Sequence, residues 1–240
     1  MKKFVLLFLV SSFLYADEIK IAIASNVSYA IKPLITEFNK QHKTKVKIIL
    51  GSSGKLTAQI KYGAPYDLFL SANMKYPNFL YQDKIALKKP RVYAKGKLAL
   101  FSIKEKNLIN ISSINSAKTI ALANPKTAPY GKAALEAITN ADLLKQNKKK
   151  FVYAENISQT LQYAFVAADI AFVAKSSLYS PKMKRFKKDT NYIDIDENLY
   201  EPILQGIALL NEKKSTLDFY NFMLSNDAKK ILKQYGYGIE

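Results

Sequence analysis

The amino-acid sequence predicts an α/β fold built on mostly parallel sheets. Two observations support this prediction. Short β-rich runs alternate with segments of helical periodicity along the whole 240-residue chain, which is the pattern of strands joined by crossover helices. Several of the β-rich runs are apolar almost throughout, as strands covered on both faces are. The chain is long enough for two domains of about 100 residues each or for one large domain.

Nine short runs have the length and the apolar or β-branched content of strands. In chain order they are Ile19–Ala24, Val46–Leu50, Asp67–Ala72, Leu98–Ser102, Thr119–Ala123, Phe151–Ala154, Ile170–Ala174, Tyr192–Ile195 and Ile203–Leu210. No Gly/Ser-rich or low-complexity linker separates them. Any division into two domains must therefore be made by strands that cross between the domains.

Segments between the strands repeat apolar residues at helical spacing. They span Val27–Phe38, Leu56–Ile60, Ala134–Ile138, Leu161–Ala168 and Thr216–Tyr235. Pro33 interrupts the first segment, which is therefore expected to start late, to kink or to form two pieces. Gly63 is well placed to end the second helix, and the last segment is expected to divide into two helices at Ser225-Asn226.

Composition argues against several functional classes. The chain has no Cys, which excludes disulfides, thiolate metal sites and cysteine nucleophiles. The single His42 lies in a polar stretch, so neither a zinc site nor a histidine-based triad is expected. The net charge of +18 would suit nucleic acid, but the lysine-rich runs Lys145–Lys150 and Lys182–Lys188 lack interleaved aromatic residues apart from Phe186. We expect no nucleic-acid partner. The charge is either a solvated face or a field that steers anions toward a cleft.

The first 16 residues have the features of a cleavable signal peptide. Met1–Lys3 is basic, Phe4–Tyr15 is a run of about twelve apolar or small residues, and Ala16 precedes the acidic Asp17. The run is shorter than the roughly 20 residues that a membrane-spanning helix needs. We expect export to the periplasm and a mature chain that starts near Asp17, although Leu14 makes the cleavage site less than ideal. Lipid anchoring is not expected, because the chain has no cysteine.

Two predicted strand-to-helix turns carry hydroxyl groups. Ser25 and Asn26 follow the strand that ends at Ala24, and Gly51–Gly54, with the sequence GSSG, follows the next strand. Unpaired N–H groups and the positive end of the helix dipole favour an anion at such turns. Serine and asparagine are also ordinary helix caps there, and this alternative stays open. A nucleotide-binding P-loop is not supported, since Ile49 stands where its first glycine should be.

Six motifs occur in order along the chain. They are Ala24–Asn26, Gly51–Leu56, Gly63–Ala72, Ala123–Pro125, Ala128–Gly131 and Gln234–Tyr237. Together they resemble the periplasmic molybdate-binding proteins of ABC transporters, over essentially the whole mature chain. The resemblance implies a two-lobed periplasmic binding protein fold of type II. Lobe one is then expected to comprise residues 17–95 and 205–240 and lobe two residues 96–204, with crossings near Ala94–Lys97 and Pro202–Gln205.

The same resemblance implies a ligand and its contacts. The ligand would be molybdate or tungstate, with no cofactor and no metal held by direct protein ligands, since the metal is bound as its oxyanion. Ser25 and Ser53 would each offer a hydroxyl and a backbone N–H, and Asn26 would add its side-chain amide. Tyr130 and Ile157 would offer backbone N–H groups from lobe two. The implied partner is a membrane ABC permease, served by a monomeric, non-enzymatic protein whose lobes close around the anion.

One position departs from the family that the chain resembles. Many relatives place a tyrosine hydroxyl on the anion from the position of Ala174, so a compensating donor is expected from Tyr130 or from a water. Glu155 is expected to point away, which would leave a site of donors only. Selection against sulfate would then depend on cavity size. The alternatives are a binding protein for sulfate or another tetrahedral oxyanion, an exported enzyme sharing the fold, and a periplasmic polyanion-binding module.

Overall fold

The computed structural model describes residues 17–104 and 108–239 of the chain. The predicted signal peptide, residues 1–16, lies outside them. The described strands are β1 Glu18–Ala24, β2 Lys45–Gly51, β3 Leu68–Leu70, β4 Arg91–Gly96, β5 Leu98–Phe101, β6 Ile120–Ala123, β7 Phe151–Ala154, β8 Ile170–Ala174, β9 Tyr192–Asp194 and β10 Ile203–Leu209. All nine predicted strands are confirmed with small differences at their ends, and β4 is additional.

The helices include the two-piece segment expected around Pro33. The α-helices are α1 Ile31–Phe38, α2 Ser53–Lys61, α3 Lys75–Gln82, α4 Pro129–Asn140, α5 Leu144–Asn147, α6 Ile157–Val166, α7 Lys214–Met223 and α8 Asn226–Gln234. A 3-10 helix at Ser25–Tyr29 precedes α1, and Pro33 falls in the first turn of α1, where an N–H has no intrahelical partner. The tail divides as predicted, because Ser225 Oγ caps α8 by accepting from Ala228 N–H at 3.3 Å.

The strands form two five-stranded sheets with the same topology. The first sheet has the order β2-β1-β3-β10-β4, and the second has the order β7-β6-β8-β5-β9. Three neighbouring strands of each sheet are parallel. One strand, β10 or β5, runs antiparallel to both of its neighbours. Both sheets are therefore mixed, with four of their five strands running in one direction.

Apolar side chains cover both faces of each sheet. On β1, Ile19, Ile21 and Ile23 belong to the core on one face, whereas Ala22 belongs to the core on the other. All four are fully buried. This two-sided burial explains why the strand is an apolar run rather than an alternation of apolar and polar residues. None of the helices in the described part of the chain has the length and apolar composition required to cross a membrane.

Strand β4 is absent from the sequence prediction for a physical reason. It lies at the edge of the first sheet, where it pairs with β10 on one side. On the other side it makes a single bridge, between Lys95 and Gly238. Two of its six residues, Arg91 and Lys95, are charged, as is common at sheet edges exposed to solvent. The strand therefore lacks the apolar run that marks the central strands.

The chain passes between the sheets at two places. Lys97 alone separates β4 in the first sheet from β5 in the second, and residues 195–202 separate β9 from β10. The crossings expected from the sequence lie near Ala94–Lys97, which includes Lys97, and near Pro202–Gln205, of which residues 203–205 belong to β10. We propose that they delimit two lobes, with residues 17–95 and 205–240 in lobe one and residues 96–204 in lobe two.

Candidate functional site

A small cavity lies where the turns after five strands meet. The turns after β1, β2 and β3 come from the first sheet, and those after β6 and β7 come from the second. The cavity volume is about 10 Å³, which is about what one water molecule needs and far below the several hundred Å³ of an organic ligand's pocket. The lining residues are Ala24, Ser25, Asn26, Gly51, Ser52, Ser53, Ala72, Ala128, Pro129, Tyr130 and Ile157.

The fold brings together all five residues that the sequence resemblance singled out. Ser25, Asn26, Ser53, Tyr130 and Ile157 line this one cavity, although they come from distant parts of the chain. None of them is more than 5% exposed. Their individual roles as ligands stay predictions, and the hydrogen bonds around them indicate which of their groups remain available.

The two serines of lobe one come from neighbouring turns. Strands β1 and β2 are parallel, and their last residues, Ala24 and Gly51, are paired. Ser25 and Ser53 therefore begin the next elements close to each other. Ser53 Oγ accepts a hydrogen bond from Ala72 N–H at 2.9 Å. Because a hydroxyl can accept and donate at once, this bond holds the oxygen in place and leaves the hydrogen for another acceptor.

Helix α4 has one backbone N–H group to offer at its start. Pro129 is its first residue and has no N–H, whereas Gly131 N–H and Lys132 N–H donate to Ala128 O at 2.9 and 3.1 Å. The N–H of Tyr130 lies in the first turn, where no intrahelical acceptor exists. Tyr130 N–H is therefore the group available to a ligand, while the tyrosine side chain packs in the core.

Helix α6 offers a single N–H group in the same way. Asn156 is its N-cap, and the Oδ1 atom of Asn156 accepts from Ser158 N–H and Gln159 N–H, each at 3.1 Å. This leaves the N–H of Ile157, the first residue of the helix. The positive ends of the α4 and α6 dipoles thus meet at the cavity, where they favour a negatively charged ligand.

No charged side chain lines the cavity within the described ranges. The carboxylate of Glu155 pairs with Lys55 Nζ at 2.8 Å, and about half of each side chain is exposed, so Glu155 points away as expected. Tyr130 is the one titratable lining residue. Burial, with a smaller contribution from nearby Tyr237, raises its pKa well above the ordinary value, so it stays protonated. The described residues also contain no group of three or more His, Asp or Glu side chains that could hold a metal ion.

A buried hydrogen-bond network lies behind the cavity. Asn26 Nδ2 donates to Gln205 Oε1 at 2.9 Å and to Tyr237 OH at 3.0 Å. Gln205 Oε1 also accepts from Tyr93 OH at 2.8 Å, and Gln205 Nε2 donates to Tyr130 OH at 3.1 Å. Gln205 therefore connects the Asn26 turn with helix α4. Both side-chain N–H groups of Asn26 are used in this network. The amide would have to leave Gln205 or Tyr237 to donate to an anion, and that contact stays a prediction.

Sequence reasoning identified Asn26 and Tyr130 as site residues but not their partners in this network. Gln205 is the one polar side chain in the apolar run of β10, and Tyr237 closes the last of the six motifs, which are weak signals. Their partners are visible only in the fold, since Gln205 is 179 residues away from Asn26. Gly96 makes room for the network, because a Cβ atom there would overlap Tyr130 OH and lie 2.6 Å from Gln205 Nε2.

Direct hydrogen bonds join the two sides of the cavity. Ser158 Oγ donates to Ser25 O at 2.9 Å, and Gly54 N–H donates to Thr127 O at 2.9 Å. Both bonds run between residues that we assign to different lobes. The lobes are therefore in contact around the lining residues, which explains why those residues are buried.

Ala174 does not take part in the lining. It is the last residue of β8 and is 1% exposed, but it is not among the residues around the cavity. Tyr130 OH, one expected source of a compensating donor, accepts a hydrogen bond from Gln205 Nε2, which leaves its own hydrogen available. The donor that compensates for Ala174 stays a prediction.

Comparison with known proteins identifies the family. The family model described as "Bacterial extracellular solute-binding protein" matches residues 19–238. The chain belongs to this family. The solute-binding protein is 31% identical over 233 residues to the molybdate-binding protein ModA of Azotobacter vinelandii, a match that covers 94% of this chain and 91% of the relative. It is 29% identical over 232 residues to ModA of Rhodobacter capsulatus, covering 94% of this chain and 90% of that one.

A solved structure shows the same architecture. The periplasmic molybdate-binding protein of Azotobacter vinelandii matches this solute-binding protein with a TM-score of 0.85 at 31% identity, over 92% of this chain and 99% of the other. The resemblance given by the six motifs and the two-lobed α/β fold that it implied are thereby confirmed.

Proposed function

We propose that this protein captures molybdate, or tungstate, in the periplasm and delivers it to a membrane ABC permease without performing chemistry on it. One observation carries the proposal: the residues around the cavity are buried and supply neutral hydrogen-bond donors from both sheets, with no carboxylate among the described residues that line it. The similarity to the molybdate-binding proteins of Azotobacter vinelandii and Rhodobacter capsulatus supports the choice of anion.

The chemistry of the lining suits an anion without protons. Molybdate, tungstate and sulfate carry no proton at neutral pH, so their pocket needs donors and no acceptor. We propose that the hydroxyl and backbone N–H groups of Ser25 and Ser53, together with the backbone N–H groups of Tyr130 and Ile157, contact the oxygens, with Asn26 holding the first turn in place. Phosphate keeps a proton at neutral pH and would call for a carboxylate, and none lines the cavity.

The expected affinity follows from the number of donors. About six hydrogen bonds to a charged ligand, at about 1.5 kcal/mol each, contribute roughly 9 kcal/mol. That free energy lies between micromolar and nanomolar Kd, before the costs of association are subtracted. Selection among tetrahedral anions depends on size, because sulfate is too small to reach the donors of both lobes at once.

Titration calorimetry of residues 17–240 with molybdate, tungstate, sulfate and phosphate tests the proposal. We expect tight binding of the first two anions and weak or no binding of the others. Ser25→Ala and Ser53→Ala should each weaken molybdate binding by about 1–3 kcal/mol. Sulfate binding as tight as molybdate binding would instead favour a sulfate carrier, and unchanged affinity in both variants would remove the two turns from the site.

We also propose how the protein reaches its permease. Residues 1–16 act as a cleaved signal peptide, and the mature protein is a monomer whose closed lobes are recognised by the permease. Mass spectrometry of the protein recovered from the periplasmic fraction should give a chain that begins at or near Asp17. Recovery of the uncleaved chain from the cytoplasm would contradict this part of the proposal.

A further inference from the structure

Ser52 has a hydroxyl group without a hydrogen-bond partner among the residues that the structure describes. Its side chain is 3% exposed, and its Oγ is a buried polar atom with no hydrogen-bond partner in the described part of the chain. Ser52 lines the same cavity as Ser25 and Ser53. A buried hydroxyl that makes no hydrogen bond is unfavourable. Because Ser52 lines a cavity with other hydrogen-bond donors, its position indicates that a bound ligand supplies the missing partner.

The closed lobes explain why Ser52 has no local partner. Ser52 is the N-cap of α2, where a serine oxygen usually accepts from the N–H of the second or third helical residue, but it makes no such bond. The second residue, Gly54, donates instead to Thr127 O across the cleft at 2.9 Å. The approach is close, because a Cβ atom on Gly54 would lie 3.0 Å from Thr127 O. Contact between the lobes therefore diverts one of the two N–H groups that Ser52 could cap.

We propose that Ser52 Oγ donates a hydrogen bond directly to the bound oxyanion. This inference rests on the proposed function and adds a residue to its site. Ser52 supplies a side-chain donor where Ala174 provides none, and it does so from lobe one.

Ser52→Ala tests the inference by titration calorimetry with sodium molybdate. We expect binding to weaken about 10- to 100-fold, because a hydrogen bond to a charged ligand is lost. No helix-cap bond is lost, because Ser52 makes none. Ser215→Ala is a matched control: Ser215 Oγ is also buried without a partner among the described residues, but Ser215 lies on α7 and does not line the cavity. The control should bind molybdate like the unsubstituted protein.

The outcomes separate this inference from the proposed function. Unchanged molybdate affinity in Ser52→Ala, together with weakened binding in Ser53→Ala, would overturn the role of Ser52 and leave the proposed function intact. Equal losses in Ser52→Ala and Ser215→Ala would show an effect on folding instead of a direct contact, and would also overturn it. If the unsubstituted protein bound no molybdate, the proposed function would fail and this inference with it.

Discussion

Gly131→Ala should displace the start of helix α4 and weaken anion binding. A Cβ atom at this position would lie 2.6 Å from the backbone carbon of Ala123, nearer still to the carbonyl oxygen of Ala123, and 3.0 Å from the backbone carbon of Asn124. Ordinary contact begins at 3.4 Å, so the Ala123 carbon alone requires the first turn to move by about 0.8 Å relative to the end of β6, and the nearer carbonyl oxygen requires a larger shift. These are backbone atoms, and no side-chain rotation relieves the overlap.

The displacement acts directly on the neighbouring Tyr130 N–H. A hydrogen bond of about 2.9 Å would lengthen to about 3.7 Å, which is no longer a hydrogen bond. Loss of one such bond to a charged ligand corresponds to about 1.5–3 kcal/mol, or roughly 10- to 150-fold in molybdate Kd. Overpacking should also lower the free energy of unfolding by about 1–3 kcal/mol.

Calorimetric titration with molybdate and a thermal melt measure both effects. Gly238→Ala is the control, because a Cβ atom there would lie 3.2 Å from Lys95 Cβ, a modest overlap outside the cavity lining. A Gly131→Ala protein that folds and binds molybdate with unchanged affinity would refute the role assigned to the start of α4.

Two further predictions concern the network behind the cavity. Gln205→Leu leaves the buried polar partners of Gln205 unpaired, which costs about 1–3 kcal/mol for each. The Tm measured by calorimetry should therefore fall by at least about 4 °C, and an unchanged Tm would contradict a role of Gln205 in supporting the fold. Burial raises the pKa of Tyr237 to about 12. The protonated Tyr237 side chain therefore contributes its full stability below pH 10, and this contribution is lost as pH rises toward 12. In thermal melts, the Tyr237→Phe protein should lose less stability between pH 10 and pH 12 than the unsubstituted protein. Equal losses in both proteins would contradict this assignment.

Much of the fold follows from local sequence patterns. Strands with both faces buried, such as β1, are predicted by their apolar runs, and Pro33 and Ser225 predict a break and a cap that depend only on neighbouring backbone. The edge strand β4 is missed because the charged residues Arg91 and Lys95 interrupt the apolar run. The antiparallel placement of β10 is also beyond local patterns, since it depends on the return of the chain from the second sheet.

Side-chain roles within the site are harder to predict than its location. The GSSG turn is visible in the sequence, but its two serines look alike there. In the fold they differ: Ser53 Oγ is held by Ala72 N–H, whereas Ser52 Oγ has lost its capping partner to the other lobe. The difference arises from a contact between residues 54 and 127, and no local pattern contains that information.

The second lobe shows a different limit. The turns from β6 to α4 and from β7 to α6 occupy the places in the second sheet that the turns after β1 and β2 occupy in the first. In lobe one, hydroxyl groups mark these turns, but in lobe two the available donors are the backbone N–H groups of Tyr130 and Ile157, whose side chains are buried. Residue type therefore carries no signal of the donor. Which N–H remains free depends on the acceptors already placed beside it, Ala128 O and Asn156 Oδ1. A sequence can thus predict that a strand, a turn and a helix meet the ligand there, whereas the donor atom follows from the hydrogen bonds of the helix start.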